Sequence, residues 1–156
     1  MHLPLFRLQI LNTHTFLPDS CDKLVIPRAV EHEILDGSED DLAKHWISKT
    51  GQQWVQDIGS VEPLIAAWDL GAGESAVFSW SYQYPEYQAV VDDFAARKFT
   101  KAFGIQLCGT IGVIVIAKKK GLVTDVKSLL KRLIDVGFRI DDQLCQAALQ
   151  LSEEFT

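Results

Sequence analysis

No apolar run in the chain is long enough to cross a membrane. The best candidate, TIGVIVIAKKKG at residues 110–121, is cut short by three lysines, whereas a spanning helix needs roughly 20 apolar residues. The N-terminus, MHLPLFRLQIL, lacks the basic start, long apolar middle and small-residue cleavage site of a secretory signal. Cysteine is scarce and scattered: Cys21, Cys108 and Cys145 show no CxxC spacing, which argues against a zinc ribbon or a dithiol redox pair. The four histidines, His2, His14, His32 and His45, also lack metal-ligand spacing and are expected on the surface or in packing roles. These absences together describe a cytoplasmic protein with no membrane segment, whose cysteines are reduced, packed thiols. There is no internal repeat, low-complexity tract or linker, and 156 residues suffice for one ordinary core. One domain over residues 1–156 is expected.

What the chain does have is segregated charge. Its net −6 alone argues against a nucleic-acid partner, but residues 1–93 carry 5 Lys/Arg against 15 Asp/Glu, giving −10. Residues 94–139 carry 10 Lys/Arg against Asp125 and Asp135, giving +8, and the last seventeen residues add −4. Such a division fits an acidic pocket beside a basic, phosphate-binding track, and it equally fits basic residues on solvated helix faces.

Apolar periodicity alternates between strand and helix. CDKLVIP (21–27) reads as a strand stopped by Pro27, and RAVEHEILDG (28–37) as a helix ended by Gly37. A second helix, 38–51, opens on Ser38 with Asp41 three residues later. QQWVQDI reads as a strand, 62–70 as a helix with Leu64, Ile65 and Trp68 on one side, and ESAVFSWSYQY as a helix ended before Pro85. Strands QAVVDD and IQLCG flank the helix DFAARKFTKAFG, which stops at Gly104. Three closing helices are capped by Thr110, by Asp125 and by Asp141 or Asp142. Strands separated by helices imply an α/β fold with a parallel sheet covered on both faces.

In an open parallel sheet, ligands bind beyond the carboxyl ends of the strands. Asp92 and Asp93, at the end of QAVVDD, sit at such a place. One acid suffices to cap the helix starting at Phe94; two invite another explanation. Glu33 falls inside the apolar arc of its helix, while Glu31 and His32 point elsewhere. It is expected to face inward, where a carboxylate needs a cation, hydrogen bonds or a metal; Arg28 or Arg97 is the structural alternative. Glu74 opens the helix after LGAG, a position that the helix dipole favours by itself. Converging carboxylates without histidine or thiol describe a hard-cation site for Mg²⁺ or Mn²⁺, which points to phosphodiester hydrolysis.

The stretches VIPRAVEHEI, LGAGESA, VVDDFAARKFTKAFGIQLCGTIGVIVIAKKKGLV and LIDVGFRIDDQL resemble a bacterial and archaeal branch of the PIN-domain family, which includes toxin ribonucleases of toxin-antitoxin pairs. The resemblance implies a three-layer α/β/α sandwich and metal-dependent cleavage of RNA. It places the metal ligands at Glu33, Glu74 and Asp92, with Asp93 beside them as an assisting group. Arg97, Lys98 and Lys101 would meet the phosphates. Thr110 with Gly109, at a helix N-terminus, offers either a further phosphate contact or an ordinary cap. The resemblance implies a cognate antitoxin as a protein partner; a homodimer is expected on a separate ground, as a way to hide apolar surface where the first strand of the family pattern is missing.

The family pattern opens with a hydrophobic strand ending in an acid, and the chain departs from it. LPLFRLQIL matches the turn and helix that follow that strand, so Met1 stands where the acid is expected. Either the gene start is placed too late, or this is a shortened homologue. In the second case the strands ending at Pro27 and Asp93, which should flank the missing one, must pair directly or have the gap covered by association, and cleavage should be weak or absent. A non-catalytic RNA- or protein-binding module is the alternative. GAGESA also satisfies G-x-G-x-x-A, but a dinucleotide site requires a strand before the first glycine, and PLIAAWDL is spaced as a helix.

Overall fold

The computed structural model describes residues 16–37 and 42–153. The reading of residues 3–11 as a turn and helix, the position of Met1, His2 and His14, and the Ser38–Asp41 helix start lie outside the described residues.

The elements follow the expected alternation: α1 (Leu17–Ser20), β1 (Ile26–Pro27), α2 (Arg28–Leu35), α3 (Leu42–Lys49), a 3₁₀ turn (Gly51–Trp54), β2 (Val55–Gln56), α4 (Pro63–Ala66), α5 (Ala72–Gln83), β3 (Ala89–Val90), α6 (Phe94–Phe103), β4 (Leu107–Cys108), α7 (Thr110–Lys119), α8 (Val126–Asp135) and α9 (Asp142–Leu151). The class is α/β. Helix boundaries follow local chemistry. Gly104, at φ 66°, ends α6 in the left-handed conformation that a side chain would strain. Asp125 accepts from Ser128 N to cap α8, and Asp141, rather than Asp142, accepts from Leu144 N to cap α9. Helix α5 begins at Ala72, two residues before Glu74, with Gly71 at its N-cap.

Among the described residues, the strands form two parallel pairs, β1 with β2 and β3 with β4, and not one joined sheet. Ile26 stands opposite Val55, and Ala89 opposite Leu107. β1 and β3 do not pair, so the direct closure that would have given a narrower single sheet does not occur. Each strand spans only two residues. The apolar core is divided accordingly. One cluster joins α7, α8 and α9 around Ile114, Leu130 and Leu133; a second joins α2 and α3 around Ile34 and Ile47; a third joins α4, α5, β3 and α6 around Ile65, Phe78 and Phe99. Phe78 and Phe99 lie 4.8 Å apart at 36°, tying α5 to α6. Partly buried Leu24 packs against the first two clusters and Val77 against the last two.

Candidate active site

Helices α2 and α5 pack together so that Glu33 meets the start of α5. Gly73 N–H donates to Glu33 Oε1 at 2.8 Å. Gly71, at the N-cap, has no side chain to offer, so Glu33 satisfies from outside one of the amides that a helix start leaves unpaired. Glycine leaves room for this approach: a Cβ on Gly73 would lie 2.6 Å from Glu33 Oε2, and the carboxylate would have to shift. Glu33 is half-buried, not the inward-facing acid expected from periodicity. That place belongs to Glu31, only 5% exposed, whose carboxylate accepts from Arg28 Nη1 at 3.0 Å and from the Gln52 amide. Arg28 also donates to Asp57 at 2.7 Å. The correction has a simple cause: α2 is buried against α5 on one side and α3 on another, so its buried arc is wider than its apolar stripe.

Glu74 is the most buried acid of the group, 1% exposed, and its Oε1 has no hydrogen-bond partner. Burial first, then the negative charges of Asp93 and Glu33, push its carboxyl up to about 6. A carboxylate this enclosed, with Oε1 lacking a hydrogen-bond partner among the described residues, resists ionisation.

The paired aspartates cap two different helices. Asp93 accepts from Ala95 N at 2.9 Å and starts α6. Asp92 reaches across to α7, where its Oδ1 accepts from Thr110 N at 2.8 Å and its Oδ2 from the Thr110 hydroxyl. Thr110 is therefore the first residue of α7 and not its cap; it is fully buried, and its hydroxyl is committed to Asp92. Burial and then the Asp92 carboxylate also raise the Cys108 thiol, keeping it protonated, and all three cysteines are free thiols.

On α6, Lys98 and Lys101 are exposed. Arg97 shares with Val91, Asp92, Thr100, Leu107 and Gly109 the lining of a cavity of about 300 Å³. The fold thus brings Glu33, Glu74 and Asp93 into one electrostatic neighbourhood, Asp92 and Arg97 into an adjoining cavity, and the lysines onto the helix that Asp93 begins. Among the described residues, no three His, Cys, Asp or Glu side chains form a group that could hold a metal ion. Reasoning from periodicity missed Gly73 and Glu31. The glycine-rich GAGES before a helix was the available signal for the first; nothing local marked the second.

The α/β chain places Asp92 and Asp93 at the end of a strand and Glu74 near the start of a helix. A family model described as a PIN domain matches residues 3–154, and the chain belongs to the PIN-domain family. No curated protein and no solved structure matches it significantly. Among the described residues, no helix is long and apolar enough to cross a membrane.

Proposed function

We propose that this PIN domain is a slow, metal-dependent ribonuclease in which Glu74, with Asp93 and Glu33 in its electrostatic neighbourhood, would take a Mg²⁺ or Mn²⁺ ion, although the three do not form a ready-made ligand group. The observation that carries the reading is the buried, unpartnered Oε1 of Glu74, with two further carboxylates raising its proton affinity. An all-oxygen donor set suits a hard divalent cation, and a cation there would relieve both the missing partner and the mutual repulsion. When bound, the ion supplies a positive charge for phosphate and a water of lowered pKa. Glu33 holds the α5 start through Gly73 and keeps Oε2 for other contacts. Asp92, expected as a ligand, holds Thr110 and orders the strand end beside Asp93. Lys98, Lys101 and Arg97 would draw the RNA phosphates along α6. Within a toxin-antitoxin pair, the cognate antitoxin and a second copy of the chain would be its protein partners, in the cytoplasm.

The second reading, a non-catalytic RNA- or protein-binding module, draws on the lack of a three-acid metal group among the described residues. Incubation of a labelled single-stranded RNA with the protein and Mg²⁺ or Mn²⁺ separates the two. Slow cleavage lost in Glu74→Gln supports the nuclease. RNA retention without any metal-dependent cleavage overturns it in favour of the binding module.

A further inference from the structure

Spacing puts Leu64, Ile65 and Trp68 on one side of the segment 62–70, the pattern of a face that packs inward. Only Ile65 is buried; Leu64 is 56% exposed and Trp68 48%. Trp68 follows α4, its N–H donating to Ile65 O at 3.1 Å. Asp69 beside it sits at φ 52°, a left-handed conformation that few residues other than glycine, asparagine and aspartate adopt. The next residue, Leu70, packs against the third apolar cluster. The turn thus anchors the chain on both sides of Trp68 and leaves the indole outside. A single exposed apolar side chain needs no explanation, but Trp68 is not single.

Two phenylalanines of α6 support it. The indole lies 5.2 Å from Phe99 at 79° and 6.1 Å from Phe103 at 75°, edge-to-face contacts that fix the plane of the ring. Tyr82 of α5, 39% exposed, meets Phe103 in the same way at 5.9 Å and 84°. The open parts of Trp68 and Tyr82 amount to about 200 Å², far below the about 800 Å² that each partner gives to a stable protein interface. Rings in such a small patch suit a planar ligand better than a protein face. The helix they rest on is also the basic one: FAARKFTKAF holds three cations and no acid. Lys98 directly precedes Phe99, and both Lys98 and Lys101 are exposed. At 100° per residue, Ala95 and Ala102, also exposed, fall between Lys98 and Phe99 around the helix, so only methyl groups separate the cation from the aromatic side. Phe99 stands six residues after Asp93, about 9 Å along the axis, which puts the rings close to the acids at the helix start.

We propose that Trp68, with Tyr82 across Phe103, is a stacking platform for an unpaired base of single-stranded RNA whose phosphates lie along Lys98 and Lys101. The inference rests on the reading of α6 as the phosphate track and names its substrate class. Stacking on an aromatic ring requires a base that has left its pair, so the platform selects single strands over duplex, and it tolerates any sequence because every base has a π face. The exposed Asp69 carboxylate repels phosphate from the turn itself and keeps the backbone on the lysine side. Trp68 would then hold a nucleotide near the acids, not at them, and act as a positioning residue for the strand.

The test measures binding in EDTA, where metal-dependent cleavage is off, to a labelled oligouridylate and to an abasic strand of equal length. The oligouridylate should bind about tenfold more tightly than the abasic strand. Trp68→Ala should remove about tenfold of its affinity while leaving abasic binding and the salt slope unchanged, and Trp68→Phe should keep most of it. Should Trp68→Ala fail to fold, Trp68→Leu, which keeps an apolar side chain, takes its place. Equal binding of the two strands, or an equal loss on both in the variant, would overturn the platform. Oligouridylate binding undiminished by the variant would do so too, and self-association lost in that variant would assign the patch to a second copy of the chain. Cleavage on adding Mn²⁺ without discrimination between the strands would keep the nuclease and strike the platform; discrimination without cleavage would keep the platform on a binding module. Binding to neither strand would overturn the phosphate track and the platform together.

Discussion

Glu33 and Gly73, forty residues apart, are held in direct contact: the glycine amide donates to Oε1 at 2.8 Å, and a Cβ in its place would lie 2.6 Å from Oε2. The glutamate acts as a cap donated by a neighbouring helix. Loss of a cap costs about 1 kcal/mol, so Glu33→Ala should destabilise the fold by roughly that amount. Gly73→Ala should do likewise by displacing the carboxylate. Together the changes should cost less than their sum, because the clash needs both side chains. Urea unfolding of the two single variants and the double variant checks this; strict additivity would contradict it.

Glu74 makes stability depend on pH. Its folded carboxyl titrates near 6, above the unfolded value of about 4.3. The folded state thus retains a proton that the unfolded chain has already released, and stability falls as pH rises through that window. The penalty is absent below the window and complete above it, amounting to about 2 kcal/mol. Glu74→Gln should lose this dependence and be the more stable protein at neutral pH. Thermal unfolding of both proteins from pH ~4 to ~7.5 measures the difference.

A divalent cation should reverse the penalty. Millimolar Mg²⁺ or Mn²⁺ should raise the melting temperature at about pH 7.5 but much less at about pH 5, where the Glu74 carboxyl holds its proton against the ion. The shift should vanish in Glu74→Gln. A cation response unchanged in that variant would place the ion elsewhere.

Asp92 and Asp93 should differ when replaced. Asp93→Ala removes an exposed cap and should cost about 1 kcal/mol. Asp92→Ala strips both partners from Thr110, whose side chain is fully buried, and should cost about 2–3 kcal/mol. Thr110→Val in the Asp92→Ala background should recover part of the loss. Equal costs for the two aspartates in chemical denaturation would contradict this division of roles.

For RNA, reversing Arg97, Lys98 and Lys101 to glutamate should weaken binding and flatten its dependence on salt. Three lost phosphate contacts on a single strand reduce the log–log slope by about 2. Filter binding across a salt series reads the slope directly, and an unchanged slope would rule out α6 as the phosphate track.

Much of the architecture is local chemistry and was readable as such. The αL stop at Gly104 and the caps at Asp93, Asp125 and Asp141 depend on residues within a few positions of one another, and the alternation of strand and helix follows from apolar spacing. The same chain order placed acids at the end of β3 and the start of α5, where the structure has them. Tertiary structure alone decided which oxygen faces which partner. Asp92 passes over its own helix to bind Thr110, eighteen residues on, while Glu31 rather than Glu33 is buried because a second helix covers α2. It also decided that β1 and β3 stay apart. Side-chain periodicity tells which face of a strand meets a core, but pairing between strands depends on backbone edges brought together by distant segments, and that information is written in no single stretch of sequence.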